Sequence, residues 1–125
     1  MIEVGSITFT STGNQSIYLN NITGTPTWVI FFTGGKYGVN ETTNARGGFG
    51  ASDIGNYQFA SANLKNGSGS FTRTYPGTDS FVLLDGASGN PAVRGDVTGA
   101  APGQIDVNLT NVDANFQVFV ICGDN

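Results

Sequence analysis

Short segments that alternate apolar and polar residues, separated by glycine- and asparagine-rich joints, limit the fold of this chain more than any other feature. Alternate residues of a β-strand face the same side of a sheet, so this period of two predicts strands with one apolar face. Ile7 and Phe9 should point one way and Thr8 the other. Ten segments fit the description: 6–10, 16–22, 27–33, 47–51, 57–63, 69–75, 80–85, 92–98, 104–110 and 116–122.

The spacing of the segments predicts an all-β fold. Strands that recur roughly every ten to twelve residues, with turn residues between them, are typical of a sandwich or barrel. No helical period of 3.6 residues extends beyond a single turn, so we expect less than about 10% helix, well below the usual share. The sequence therefore predicts one antiparallel β-sandwich domain over residues 1–125.

One segment, from Trp28 to Phe32, is apolar on both faces. Such a strand is expected to be buried on both sides. We expect the larger set, Trp28, Ile30 and Phe32, to fill the core. We expect Val29 and Phe31 to meet a neighbouring copy in a closed ring of three, with burial under the chain's own loops as the alternative. Segments 80–85 and 116–122 raise the same question more mildly.

The charge of the chain argues against two classes of partner. The net charge is −4, with five Lys and Arg. Nucleic acids and anionic membrane surfaces both attract basic patches, so we expect neither as a partner. The start, MIEVGSITFT, lacks the basic and apolar regions of a signal peptide. We therefore expect a complete chain that is made in a cytoplasm.

Residue types for catalysis and metal binding are scarce. The chain has no His and one Cys, which excludes histidine chemistry, an internal disulfide and a multi-cysteine zinc site. No aspartates are spaced to form a catalytic pair, and Cys122 lies among apolar residues, where a protonated core thiol is expected. We expect no enzymatic activity, cofactor or metal. GGFG (47–50) lacks the features of a phosphate loop and predicts close backbone packing or a bulge.

Three tyrosines beside glycine-rich joints, Tyr37, Tyr57 and Tyr75, are candidates for facing a ligand. Aromatic rings of this kind can stack on sugars. In the alternative, the tyrosines cap the sandwich core and keep their hydroxyl groups in water.

The order of several segments resembles a small β domain recurrent in tailed-bacteriophage structural proteins. GNQSIYLNNITGTPTWVIFFTGG (13–35) is similar to that domain's opening, where a GN…I strand precedes an F-x-P-x-x-V-I-F-F strand and a Gly-rich loop. ARGGFGA, SFVLLDGASG, PGQIDVNLT and FQVFVICGD are similar to its G-F-G-A, C-I-L-L-L-D-G, G-F-x-x-N-W-T and Y-x-V-x-x-L-A-L-G segments. The similarity covers roughly residues 5–123, with Ile105 and Leu109 in place of the family's Phe and Trp.

This resemblance implies a structural role on the virion, as a capsid decoration (cement) protein that assembles with the major capsid protein or with tail components. A homo-oligomer is expected, with a trimer favoured. The alternative is a receptor- or glycan-binding module of a tail fibre or tail tip. The layout is also similar, more distantly, to the six-stranded sandwich of H-type lectins, so the predicted sandwich is either of that type or a jelly roll. No lectin site residue can be matched.

Overall fold

A computed structural model describes residues 1–36, 45–67, 69–85, 88–112 and 116–125. They form ten strands and no helix, which confirms the all-β prediction. Each predicted segment overlaps one strand, but residues 19–22 of the segment predicted over 16–22 lie outside any strand. The strands are β1 (Ile2–Phe9), β2 (Gly13–Tyr18), β3 (Trp28–Lys36), β4 (Ala45–Ser52), β5 (Gln58–Asn66), β6 (Gly69–Pro76), β7 (Phe81–Leu84), β8 (Pro91–Ala101), β9 (Gln104–Asn111) and β10 (Phe116–Gly123).

The strands build two antiparallel sheets that pack together as the predicted sandwich. The six-stranded sheet has the order β1-β10-β3-β4-β5-β6, and the four-stranded sheet has the order β2-β9-β8-β7. The first two strands therefore pair with the last two, as in a jelly roll, whereas β3–β6 and β7–β9 run as meanders. The ten described strands exceed the six of an H-type lectin sandwich.

The main core lies between the two sheets and is centred on three phenylalanine rings. Phe9 and Phe81 stack with ring centroids 5.6 Å apart, and Phe31 lies 4.8 Å from Phe81. From β9, Ile105 and Leu109 point into this core, as their alternation predicts.

The faces of β3 are the reverse of the expectation from sequence. Val29 and Phe31 are fully buried in the core, so their prediction as a contact with a neighbouring copy was wrong. Phe32, expected in the core, is 44% exposed on the outer side of the sheet. The larger set of side chains does not fit inside because Phe9 and Phe81 already occupy the space that Phe31 completes.

β7 explains why segment 80–85 is apolar on both faces. Its side chains are buried on both sides within one chain, so a neighbouring copy is not needed to cover them. Phe81 and Leu83 face the main core. Val82 and Leu84 face a second apolar cluster with Leu64 and two alanines of β5.

Glycines of β4 let the backbone of β7 approach the opposite sheet, which confirms the close packing predicted at GGFG. A Cβ atom on Gly50 would lie 1.9 Å from the carbonyl oxygen of Ser80, and one on Gly48 would lie 2.9 Å from that of Val82. The Thr33 hydroxyl donates to the Val82 carbonyl over 3.0 Å. An edge strand leaves such carbonyl groups unpaired, and here the facing sheet supplies a donor.

Candidate functional site

The outer side of the six-stranded sheet carries a group of apolar side chains that no other part of the described chain covers. We call it the phenylalanine face. Strand alternation and pairing place the following residues on it: Ile2, Val4, Trp28, Ile30, Phe32, Phe49, Ala51, Phe59, Phe119 and Ile121.

Three phenylalanines form a row across the middle of this face. Phe119 of β10 is paired with Phe32 of β3, and Phe32 is paired with Phe49 of β4. Their side chains are 55%, 44% and 51% exposed, in that order. A second row runs beside it and ends at Phe59, whose ring centroid is 5.8 Å from that of Phe49. The aromatic rings are therefore contiguous, not scattered.

The sequence places these rings outside because their neighbours along each strand are needed inside. Phe49 lies between Gly48 and Gly50, and the two glycines face β7, so the phenylalanine must face solvent. At one end of the face, Trp28 lies over Gly123, where a Cβ atom would be 2.5 Å from the indole ring. The tryptophan thus covers backbone that has no side chain of its own.

Charge is nearly absent from this side of the sheet. Among the described strand residues whose alternation places them outward on this sheet, the charged ones are two lysines, Lys36 at the end of β3 and Lys65 near the end of β5. Polar residues such as Thr72 and Thr74 of β6 border the face. An apolar centre free of charge with a polar border is the usual composition of a protein interface.

The described part of the structure does not bring the three tyrosines that were predicted to face a ligand together in one site. Tyr37 lies outside them. Tyr75 is half-buried against the second apolar cluster, with the Arg94 guanidinium 5.1 Å from its ring centroid. Tyr57 is exposed and borders a cleft of about 100 Å³ that Asn56 and Thr98 also line.

The cleft beside Tyr57 is formed by a tight turn. The Asp53 carboxylate accepts hydrogen bonds from the backbone N–H groups of Tyr57 (2.8 Å) and Asn56 (3.0 Å), which lower its pKa. Ile54 in this turn has a φ of 53°, a left-handed conformation that is rare for a β-branched residue. The turn therefore places Tyr57 at the surface, beside the cleft.

Other carboxylates are engaged in structural contacts. Asp79 is buried and accepts two hydrogen bonds from Arg94, of 2.9 and 3.3 Å, and this pairing raises the pKa of the guanidinium. Asp106 accepts from the hydroxyl of Ser16, and Asp85 from that of Ser88. Within the described ranges, no group of three or more His, Cys, Asp or Glu side chains is placed to hold a metal ion.

Cys122 lies in the core, where burial raises the pKa of its thiol to about 11, with a further contribution from the carboxylates of Glu3 and Asp124. A thiol with this pKa is protonated at neutral pH and is a weak nucleophile.

In the part of the chain that the structure describes, no helix is long and apolar enough to cross a bilayer.

Sequence reasoning missed the phenylalanine face as a whole. It identified the two-sided apolar character of β3 and β10, but the face needs the lateral order of the strands, which joins β10, β3 and β4 from distant parts of the chain. One signal was present in the sequence. Phe49 lies between glycines, so its strand has glycines on one face and Phe49 on the other.

Comparison with protein-family models, with curated proteins and with solved structures found no significant match.

Proposed function

We propose that this chain is a non-enzymatic structural protein of a tailed-bacteriophage particle, acting as a capsid decoration (cement) protein on the virion. Two kinds of observation support the proposal. One is the order of its sequence segments, which resembles that of the phage β domain. The other, which carries the assembly role, is the phenylalanine face on a domain with few charges.

The resembling segments coincide with strands that lie next to one another. The segments that contain Phe31, Phe49 and Val120 fall on β3, β4 and β10, which are neighbours in the six-stranded sheet. The segment that ends in LLDG includes β7, which packs against the glycines of β4. The resemblance therefore involves residues that determine how the two sheets meet, which is the part of a fold that related domains share.

An assembly role accounts for the apolar outer surface better than catalysis does. Monomeric proteins rarely expose a contiguous apolar patch larger than a few hundred Å², and larger patches mark interaction sites. Asp53 accepts hydrogen bonds within a turn, Asp79 pairs with Arg94, and the Cys122 thiol is buried and protonated. A net charge of −4 is compatible with the outer surface of a capsid, away from the packaged DNA.

A second candidate function is receptor or glycan binding at a tail fibre or tail tip. The observation in its favour is Tyr57, an exposed aromatic ring beside a cleft with the polar side chains of Asn56 and Thr98. Sugar sites combine an aromatic ring with a few converging polar groups of this kind.

Deletion of the coding sequence from the phage that carries it distinguishes the two functions. For a decoration protein, particles without the chain should still adsorb to cells but lose their DNA at a lower temperature than wild-type particles. Supplying the wild-type chain in trans should restore heat stability. Particles with heads of normal heat stability that fail to adsorb would contradict the proposal and support the tail-tip function.

A further inference from the structure

We propose that the phenylalanine face is the contact between two copies of this chain, which pack their six-stranded sheets against each other about a two-fold axis. The inference rests on the proposed function only in that both assign this face to assembly. Pairing of two copies would hold for a head or a tail protein alike.

The size of the face fits a stable pair. Six strands about 4.8 Å apart and about eight residues long, at about 3.3 Å each, give a face of roughly 25 Å in both directions. The projected area of this face is roughly 600 Å², and its accessible surface is larger because side chains protrude from it. The area is therefore of the order of the roughly 800 Å² that a standard interface buries on each partner. The four half-exposed phenylalanines alone leave roughly 400 Å² of apolar surface, and Ile2 and Val4 extend it.

The charge distribution favours a second copy as the occupant. With a net charge of −4 on each copy, two chains are expected to meet on a surface without acidic residues, where no carboxylates are brought close together. The phenylalanine face is such a surface: at its described outer strand positions the charged residues are two lysines, Lys36 and Lys65, which lie at the ends of β3 and β5. Two sheets that pack face to face stand about 10 Å apart, a distance that interdigitated phenylalanine side chains fill.

Symmetry favours two copies over the trimer expected from sequence. A two-fold pair uses one patch against itself, whereas a closed ring of three needs two different patches that complement each other. Val29 and Phe31, which were expected to build the ring, are inside the domain. Phe32 lies at the centre of β3, in the middle of the sheet, so it should lie at the centre of the paired surface.

Other occupants fit the face less well. A sugar site needs several hydrogen-bonding groups that converge beside the aromatic rings. The Phe32 row is flanked by Ile30, Ala51 and Ile121 on one side and by Gly34 and Gly47 on the other, and Ser6 and Ser61 lie at its two ends. An anionic membrane surface needs several basic residues around the apolar patch. The described border of this face has two, Lys36 and Lys65, both at the same end, and the rest is built largely of threonine and serine.

The test is the mass of the purified chain in solution, measured by sedimentation equilibrium and native mass spectrometry. The wild-type chain should have twice the mass of one copy in the micromolar range. Phe32→Asp and Phe119→Asp each place a carboxylate on both sides of the two-fold interface. Either change should raise the dissociation constant roughly thirtyfold or more, as expected for a central interface residue.

The matched control is Tyr18→Asp, the same type of change at an exposed aromatic residue of β2, on the outer side of the four-stranded sheet. This variant should remain a dimer. Circular dichroism should show that all three variants are folded. Phe49→Ser, which adds no charge, should also weaken pairing and separates loss of the contact from charge repulsion.

A wild-type monomer at high concentration would overturn the inference and leave the face to a partner of another sequence. A trimer would overturn it as well, as would folded Phe32→Asp and Phe119→Asp variants that still pair. Loss of pairing in Tyr18→Asp would indicate that the interface lies on the four-stranded sheet, which would also overturn the inference. The deletion experiment is independent of these outcomes: dimers together with particles that fail to adsorb would overturn the decoration function but not the pairing.

Discussion

Single glycines decide how closely the two sheets of this domain approach. At Gly50 the backbone of β4 meets the backbone of Ser80, and the space for one methyl group is absent. Gly34 lies in the same sheet but has no atom within 4 Å of an added Cβ position. Substitution of alanine for glycine at these two positions therefore makes the same chemical change with and without close packing.

Gly50→Ala should destabilise the fold by at least about 3 kcal/mol, because β7 must move away from β4 and lose contacts on both of its faces. Gly34→Ala, the control, should change the free energy of unfolding by no more than about 0.5 kcal/mol. Urea unfolding followed by circular dichroism measures both. Equal stability of the two variants would mean that β7 does not lie against β4 as described.

A second residue with a large effect is Glu3, whose buried carboxylate holds the segment that follows β2. It accepts hydrogen bonds from the backbone N–H groups of Asn20 (2.7 Å), Asn21 (2.9 Å) and Ile22 (3.0 Å). Burial raises the pKa of Glu3, but the three N–H groups together outweigh burial, and the pKa lies below its ordinary value.

Because the pKa of Glu3 is lower in the folded state than in the unfolded state, its charged form stabilises the fold. This contribution should be complete above the ordinary pKa of a glutamate and should be lost as the pH falls through the folded value. Glu3→Gln should therefore lower stability at neutral pH by about 3 kcal/mol and reduce the dependence of stability on acid pH. Thermal unfolding from neutral to acid pH measures the difference, and parallel curves for the two proteins would contradict this role.

At the scale of the element, β3 shows what the sequence could and could not establish. Its position and its two apolar faces were predictable from five consecutive apolar residues between turn residues. Which face is internal was not predictable, because the choice depends on Phe9 and Phe81, which come from other strands. Size was the wrong criterion, since the core accepts the set of side chains that fits beside those rings.

The tyrosine candidates show the same limit. Their exposure depends on which strand lies beside each one: Tyr75 is half-covered because its strand faces the second apolar cluster, whereas Tyr57 lies in a turn and stays exposed. Alternation along one strand establishes which residues share a face, but contacts between strands distant in sequence establish what each face meets.

Phe31→Ala and Phe32→Ala test the assignment of the two faces of β3. Phe31→Ala should cost about 3–5 kcal/mol of stability because it leaves a cavity between Phe81 and β3. In the monomer, Phe32→Ala should cost about 1 kcal/mol or less, but it should weaken pairing. Unfolding in urea at protein concentrations below the dissociation constant separates the two effects. A larger loss of stability in Phe32→Ala than in Phe31→Ala would contradict the buried position of Phe31.

At the scale of the whole molecule, the sandwich has one sheet surface that is polar and one that is apolar at its centre. The outer side of the six-stranded sheet gathers six of the ten large apolar side chains that are exposed in the described chain: Ile2, Val4, Phe32, Phe49, Phe59 and Phe119. A domain of this size does not need that surface for its own core, because the space between the sheets is already filled. This surface is the one that we propose for the pairing of two copies.

The fluorescence of Trp28 during dilution tests this account most directly, because the chain's one tryptophan lies on the phenylalanine face. If two copies pair through the face, the emission should shift to longer wavelength on dilution, with the same midpoint as the change in mass. Phe119→Asp should emit at the longer wavelength at every concentration. A mass that falls from two copies to one while the Trp28 emission stays constant would place the interface elsewhere and contradict the account.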